Sequence, residues 1–147
     1  MSIELYSEFK FDKFIFKIMN RYLYSTNHLW FDFDETGIII GLTDYLQQTI
    51  GDAAFVTLPL SGAIINPSVP ISEIETMKVN HEIMISYKGI ILDVNKELID
   101  FPELINEDPY EKGWLLRLKI ENIENVKKSL LTAENYIEFI RNEVEKD

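Results

Sequence analysis

Short apolar runs separated by turn-forming residues dominate the middle of the chain. Leu29–Phe33 is followed by Asp34–Gly37, and the β-branched run Ile38–Ile40 comes next. Asp and Gly favour tight turns between strands, so this stretch predicts a β-hairpin. The same reasoning predicts further strands at Ala53–Leu58, Gly89–Val94 and Trp114–Ile120. Many short strands between turns are typical of a small barrel or sandwich with helices attached.

Helical spacing of the apolar residues replaces alternation in three places. Thr43 or Asp44 is a candidate N-cap for a short helix after the first hairpin. Pro102–Asn106 predicts a second short helix. Ile123–Val144 predicts a helical C-terminus, in which Thr132 is a candidate start for a second segment.

The Phe-rich extension at residues 1–21 fits two periodicities. Strand-like alternation places Phe14, Phe16 and Ile18 on one face. Helical spacing includes more of the apolar residues, and it therefore favours a short amphipathic helix. The residues that fit the helical spacing are Phe11, Phe14, Ile15, Ile18, Met19 and Tyr22.

The segment from Ile71 to Gly89 has apolar residues on both sides of a polar break centred on Lys78. This pattern predicts two short strands joined by a turn, with Lys78 near its tip. A lysine there can hold its amine clear of the surface, because its stem is flexible and its ammonium strongly hydrated. The pattern alone fits an ordinary solvated lysine just as well.

Composition and charge narrow the classes of function. With 147 residues the chain is long enough for one domain with its own core. It has no cysteine, which excludes disulfides, thiolate metal sites and cysteine nucleophiles. It has no membrane-length apolar run and no secretory signal pattern, so we expect a soluble cytoplasmic protein. The net charge of −11 argues against nucleic acid and anionic membranes as partners.

Motifs for catalysis are not found in the sequence. His28 and His81 lie far apart and form no metal-binding pair, and no nucleophile elbow or Gly-rich phosphate loop is present. His28, two residues before Trp30, is better explained as a packed or hydrogen-bonded residue than as a base. The sequence therefore gives no reason to expect an enzyme.

Several motifs between Tyr24 and Ile140 together resemble the H protein family of the glycine cleavage system. Glu75-Thr76-Met77-Lys78 is similar to the family's Glu-Ser-Val-Lys, whose lysine bears lipoate. The spacing from Leu58-Pro59 to Lys78 also fits without a gap. The other matching motifs are His28-Leu29-Trp30, Gly41-Leu42-Thr43-Asp44-Tyr45, Gly51-Asp52, Pro102-Glu103-Leu104-Ile105-Asn106, Asp108-Pro109-Tyr110, Gly113-Trp114 and the helical positions Ala133, Tyr136 and Phe139.

This resemblance implies a fold and a role for residues 22–147. The fold is a lipoyl/biotinyl-type barrel-sandwich hybrid of two small antiparallel sheets with short helices and a C-terminal helical segment. The implied cofactor is lipoate in an amide bond to Lys78, with Glu75 presented to the lipoylating enzyme. The chain would act as a monomeric carrier and not as an enzyme. It would take the aminomethyl group of glycine from glycine decarboxylase to aminomethyltransferase, and dihydrolipoyl dehydrogenase would reoxidise the arm.

Departures from the family pattern leave two alternatives open. Val79, Asn80 and His81 stand where the family usually has small residues, and Ser68 and Ser72 stand where Gly is common. A related lipoate-binding protein could carry sulfur intermediates for a heterodisulfide-reductase-like complex. An interaction module that has lost lipoylation is the second alternative.

Overall fold

The computed structural model describes residues 4–146, so residues 1–3 of the N-terminal extension and Asp147 lie outside the described part. The eleven strands are β1 (Tyr6–Phe11), β2 (Phe14–Met19), β3 (Leu23–Tyr24), β4 (Leu29–Asp34), β5 (Gly37–Leu42), β6 (Ala53–Thr57), β7 (Ile64–Ile65), β8 (Ser72–Thr76), β9 (Asn80–Ile83), β10 (Gly89–Val94) and β11 (Leu116–Ile120). The helices within this range are α1 (Asp44–Ile50), α2 (Glu97–Asp100), α3 (Leu104–Glu107), α4 (Ile123–Ser129) and α5 (Ala133–Val144).

Two antiparallel sheets form the sandwich that the sequence predicts. One sheet has six strands in the order β3-β4-β5-β11-β10-β7, and the other has three in the order β6-β8-β9. Their apolar faces share one core, in which Ile38, Ile74 and Leu118 are completely buried. Burial alternates along β8 and β11, where every second side chain points into the space between the sheets.

The predicted local elements are found close to their expected positions. β4 and β5 form the hairpin around Asp34, whose side chain accepts hydrogen bonds from the backbone N–H groups of Thr36 and Gly37. Thr43 is the N-cap of α1, and its hydroxyl accepts a bond from Leu46 N. Thr132 likewise caps α5, so the C-terminal segment consists of the two helices α4 and α5. None of the helices among residues 4–146 is long and apolar enough to cross a membrane.

The helix predicted within residues 1–21 is wrong, because β1 and β2 form an antiparallel hairpin there. The strand period prevails because one face of the hairpin packs on the domain: Phe16 and Ile18 are buried, whereas Ile15 and Lys17, which alternate with them, are exposed. Asp12 adopts a φ of 55° at the tight turn between the strands. Asp tolerates this left-handed conformation better than most residues, so the turn forms without glycine.

A second apolar cluster joins the hairpin to the C-terminal helix. It is rich in aromatic rings, and Phe16 meets Tyr45 edge to face at 5.0 Å while Tyr24 stacks on Tyr136 at 4.5 Å. A hydrogen bond from the hairpin backbone adds to this anchoring: Lys17 N donates to the side-chain Oδ2 of Asp44 at 2.8 Å. The hairpin is therefore packed on the domain through α1. The buried members of the cluster are Phe9, Phe16, Ile18, Tyr22, Tyr24, Trp30, Tyr45, Tyr110, Ala133, Tyr136 and Ile140.

Candidate functional site

Lys78 lies in the turn between β8 and β9, where the sequence places it. Residues 77–79 separate the two strands, and Glu75 on β8 pairs with Asn80 on β9. Lys78 is exposed, and the neighbouring Met77 is 97% exposed. A reagent or a partner protein can therefore reach the Lys78 amine without any opening of the core.

Thr76 organises this turn, a role that sequence reasoning did not assign to it. Its buried hydroxyl accepts hydrogen bonds from Lys78 N at 3.1 Å and Val79 N at 3.0 Å, and it donates to Ile50 O at 2.7 Å. The turn is thus tied both to itself and to the end of α1. Ser and Thr commonly bond to backbone groups two or three residues ahead, which is the signal that could have identified Thr76.

The Lys78 side chain folds back towards the domain instead of standing clear of it. Its Nζ donates a hydrogen bond to the carbonyl oxygen of Thr49 at 3.0 Å. Thr49 belongs to the last turn of α1, where free carbonyl groups and the negative end of the helix dipole attract a cation. The sequence allowed an amine that stands clear of the surface, whereas in the structure the amine contacts the end of α1.

An apolar pocket of about 240 Å³ opens beside Lys78. The β1–β2 hairpin forms one wall, and α1 and the end of α5 form the others. On the hairpin wall, Phe14 is 44% exposed, and its ring stacks on the ring of Phe16 with centroids 6.0 Å apart. Val79, Asn80 and His81 do not line this pocket. The residues that do are Phe11, Phe14, Phe16, Tyr45, Gln48, Thr49, Lys78 and Val144.

Glu75 lies on the outer face of the three-stranded sheet, three residues before Lys78. Ser72, Ile74 and Thr76 point inward along β8, whereas Glu75 is exposed. The two carboxylates of Glu73 and Glu75 therefore stand on one face, leading towards the turn. The structure leaves this acidic group open to a partner.

His28 belongs to a hydrogen-bonded network that links the first sheet to α5. Its Nδ1 lies 2.9 Å from Tyr136 Oη, and its Nε2 lies 3.2 Å from Glu143 Oε1. Burial lowers the pKa of His28 despite the opposing charge of Glu143. Tyr45 donates to Glu143 at 2.7 Å, and burial together with this bond raises the pKa of Tyr45 to about 12. The explanation of His28 as a packed, hydrogen-bonded residue is confirmed.

The two serines at positions expected for glycine fit their sites without strain. Neither Ser68 nor Ser72 is one of the non-glycine residues with a positive φ in the described range, residues 4–146. Ser68 bonds to Asn66 in a local turn through its N–H and its hydroxyl. Ser72 begins β8 and donates to Thr57 O at 2.5 Å. The exchange of Gly for Ser therefore leaves the approach to Lys78 intact.

The arrangement suits a covalently attached, largely apolar group. An accessible primary amine stands at the mouth of an apolar pocket, and the backbone that carries it is fixed by Thr76. The residues from 4 to 146 hold no cluster of three or more His, Cys, Asp or Glu side chains able to bind a metal ion. The donor chemistry of the site is therefore that of one lysine amine.

A family model described as "Glycine cleavage H-protein" matches residues 22–143. The chain belongs to this family. A "Probable glycine cleavage system H protein" from Pyrococcus furiosus is 37% identical over 127 residues, which cover 86% of this chain and 94% of the relative. The "Glycine cleavage system H protein" of Bacillus mycoides is 38% identical over 122 residues, covering 83% and 95% respectively.

The fold agrees with that of a solved H protein. The crystal structure of a glycine cleavage system H protein from Mycobacterium marinum superposes with a TM-score of 0.72 at 28% identity, covering 81% of this chain and 95% of the other. The barrel-sandwich fold expected from the motifs is thereby confirmed, and so is the family. H proteins are carrier components of a multienzyme system and not enzymes. The β1–β2 hairpin lies before the residues that the family model matches.

Proposed function

We propose that this H-family protein carries lipoate as an amide on Lys78 and shuttles the aminomethyl group of glycine between the components of the glycine cleavage system. The observation that carries the proposal is the position of Lys78, exposed in a hydrogen-bonded turn of a chain that matches the family over residues 22–143. Lipoate supplies a disulfide that can be opened to accept a group and closed again.

The residues of this chain hold and present the arm. Thr76 fixes the backbone of the turn, so that motion is confined to the side chain and to whatever it carries. Tethering keeps a carried group at an effective concentration on the order of millimolar near a docked partner. The carrier therefore needs no catalytic side chain of its own. Glycine decarboxylase, aminomethyltransferase and dihydrolipoyl dehydrogenase are the proposed partners, with a lipoate ligase or lipoyl transferase for loading.

Glu75 is the residue proposed for recognition by the lipoylating enzyme. It is exposed and lies on the same hairpin as the lysine, one strand position before the turn begins. A basic surface on the ligase would be attracted to this carboxylate and would be oriented relative to Lys78.

Loading can be tested directly by mass spectrometry after incubation with a lipoate ligase and ATP. We expect the mass of one lipoyl group, mapping to Lys78, and complete loss of the modification in Lys78→Ala. Lys88→Ala is the matched control, because Lys88 is also exposed and follows the same hairpin. In the same assay Glu75→Ala should slow loading, whereas Glu73→Ala on the same face should do so less. Loading of Lys78→Ala at the normal level would refute the carrier assignment.

The cargo requires a separate experiment with lipoylated protein. If the cargo is the aminomethyl group, the loaded protein should support glycine–bicarbonate exchange by glycine decarboxylase from the same source, and Lys78→Ala should not. A loaded protein that fails in this assay would instead favour the carrier of sulfur intermediates. A chain that no ligase loads would favour an interaction module without lipoate.

A further inference from the structure

The β1–β2 hairpin has one edge that no strand covers. β1 and β2 form a sheet of their own, so each strand leaves one edge for other contacts. The edge of β2 is bonded to the domain, because Lys17 N donates to Asp44 Oδ2 and Lys17 O accepts from Tyr110 Oη. Ile15 O likewise accepts from Gln48 Nε2. The open edge of the hairpin is therefore that of β1.

Glu8 and Lys10 carry the backbone groups at this open edge. In an antiparallel pair, residues that bond to each other alternate with residues whose N–H and C=O groups point away from the pair. Ile15 and Lys17 point away, as their bonds to the domain show, and the residues opposite them on β1 are Lys10 and Glu8. Within residues 4–146, no hydrogen bond reaches the outward N–H and C=O groups of these two residues. The edge thus offers backbone donors and acceptors to another strand.

The side chains of Glu8 and Lys10 make this edge complementary to a second copy of itself. Both are exposed, and neither forms an ion pair in the part of the chain that the structure describes. If two antiparallel β1 strands pair about Phe9, Glu8 of each copy lies directly opposite Lys10 of the other. Opposite charges in such positions attract, whereas like charges repel. A shift of two residues in either direction would bring Glu8 against Glu8 or Lys10 against Lys10, so the charges select one register.

The net charge of the hairpin allows two copies to approach at this edge. The whole chain carries a formal charge of −11, but the acidic residues and lysines of residues 4–20 cancel. At physiological ionic strength, charges farther away than about 8 Å are largely screened, so the local balance matters most. The cancelling residues are Glu4, Glu8 and Asp12 against Lys10, Lys13 and Lys17.

We propose that two copies of this chain associate through antiparallel pairing of their β1 strands. Glu8 of each copy exchanges backbone hydrogen bonds with Lys10 of the other, and a continuous sheet forms in the order β2-β1-β1-β2. The same patch serves both copies, so the assembly closes as a two-fold dimer. The sheet ends at β2, whose outer edge is bonded to the domain. Because the hairpin precedes the residues matched by the family model, this dimer goes beyond both family membership and the proposed function.

Sedimentation velocity and amide NMR of the whole chain, without lipoate, test the association. The protein is measured from about 10 μM to about 1 mM, the range in which a small interface dissociates. We expect the sedimentation coefficient to rise from that of a monomer to that of a dimer, and the N–H resonances of Glu8 and Lys10 to shift with it. A protein that stays monomeric throughout this range would overturn the proposal. Shifts at Glu8 and Lys10 only when a component of the glycine cleavage system is added would assign the edge to that protein and likewise overturn it.

Charge reversal tests the register. Glu8→Lys and Lys10→Glu each make both cross-strand pairs repulsive, and each should weaken association by at least about tenfold. The two changes move the net charge in opposite directions, so weakening in both cannot come from net charge. An equimolar mixture of the two variants should associate again, because the carboxylates of one copy then face the ammonium groups of the other. Lys119→Glu is the control, since Lys119 is exposed on another sheet, and it should leave association unchanged. Dimers that persist in both single variants, or a mixture that stays monomeric, would contradict pairing through β1.

Discussion

Thr76 shows how a single hydroxyl can stabilise a modification site without touching the modified atom. It bonds to the N–H groups of Lys78 and Val79 within the turn and to the carbonyl of Ile50 at the end of α1. Its side chain is buried, and without the hydroxyl the buried carbonyl of Ile50 would have little water available as a replacement. The position of Lys78 therefore depends on Thr76.

Thr76→Val keeps the shape of the side chain but removes all of these bonds. We expect it to lower the free energy of unfolding by about 1–3 kcal/mol, since the partly buried N–H groups of Lys78 and Val79 and the buried carbonyl of Ile50 lose this partner. Hydrogen exchange of the Lys78 and Val79 amides should accelerate, and ligase-dependent loading should slow. Thr76→Ser retains the hydroxyl and should preserve the slow exchange. Unchanged exchange in Thr76→Val would show that the turn does not depend on this side chain.

The β1–β2 hairpin is the element that extends the domain beyond the residues matched by the family model. Its inward face joins the aromatic cluster formed by Tyr45 and Tyr136, among others. Its backbone also forms hydrogen bonds to two side chains of α1, since Lys17 N donates to Asp44 and Ile15 O accepts from Gln48. These contacts indicate that the hairpin folds together with the domain.

Phe16→Ala tests whether the hairpin is part of the cooperative fold. Phe16 is 5% exposed, so its truncation should cost about 3 kcal/mol in urea-induced unfolding. Phe14→Ala on the same strand should cost much less, because Phe14 is 44% exposed. Similar small losses in both variants would mean that the hairpin opens independently of the sheets.

The elements with unambiguous turn chemistry could be predicted from the sequence. Asp34 marks the β4–β5 hairpin and Thr43 marks α1, and strand alternation marks β8 and β9 around Lys78. The N-terminal hairpin could not be predicted, because Phe14 and Ile18 fit both periods and the turn at Asp12 has no glycine. The pocket was also beyond prediction, since its walls come from the two ends of the chain and α1, which only the tertiary fold brings together.

At the scale of the whole molecule, His28, which immediately precedes β4 of the six-stranded sheet, connects this sheet to the C-terminal helix α5. Its ring bonds to Tyr136 and Glu143 of α5, and burial lowers its pKa. His81, the other histidine, has its pKa lowered by burial and by the charge of His28. In both cases the unfolded chain binds protons more readily than the folded one. Each histidine therefore favours unfolding as the pH falls below the ordinary value of about 6.5.

The stability of the protein should consequently decline between pH 7 and pH 5.5, and His28 should contribute part of the slope. His28→Asn is the test variant, because His28 has a φ of 68° and Asn tolerates this conformation. Its free energy of unfolding should be lower than that of the parent at pH 7 but should vary less with pH. Urea titrations at several pH values measure both quantities. An equal or steeper slope in His28→Asn would contradict the assigned direction of the pKa shift.

The exposed position of the Lys78 amine has a practical consequence for separation chemistry. Acylation removes one positive charge and changes the formal net charge from −11 to −12. This charge lies at the surface and not in the core, so an ion-exchange resin can respond to its loss. Loaded and unloaded protein should thus elute from an anion-exchange column at different salt concentrations, and the degree of loading can be determined from the two peak areas without a tag or an antibody.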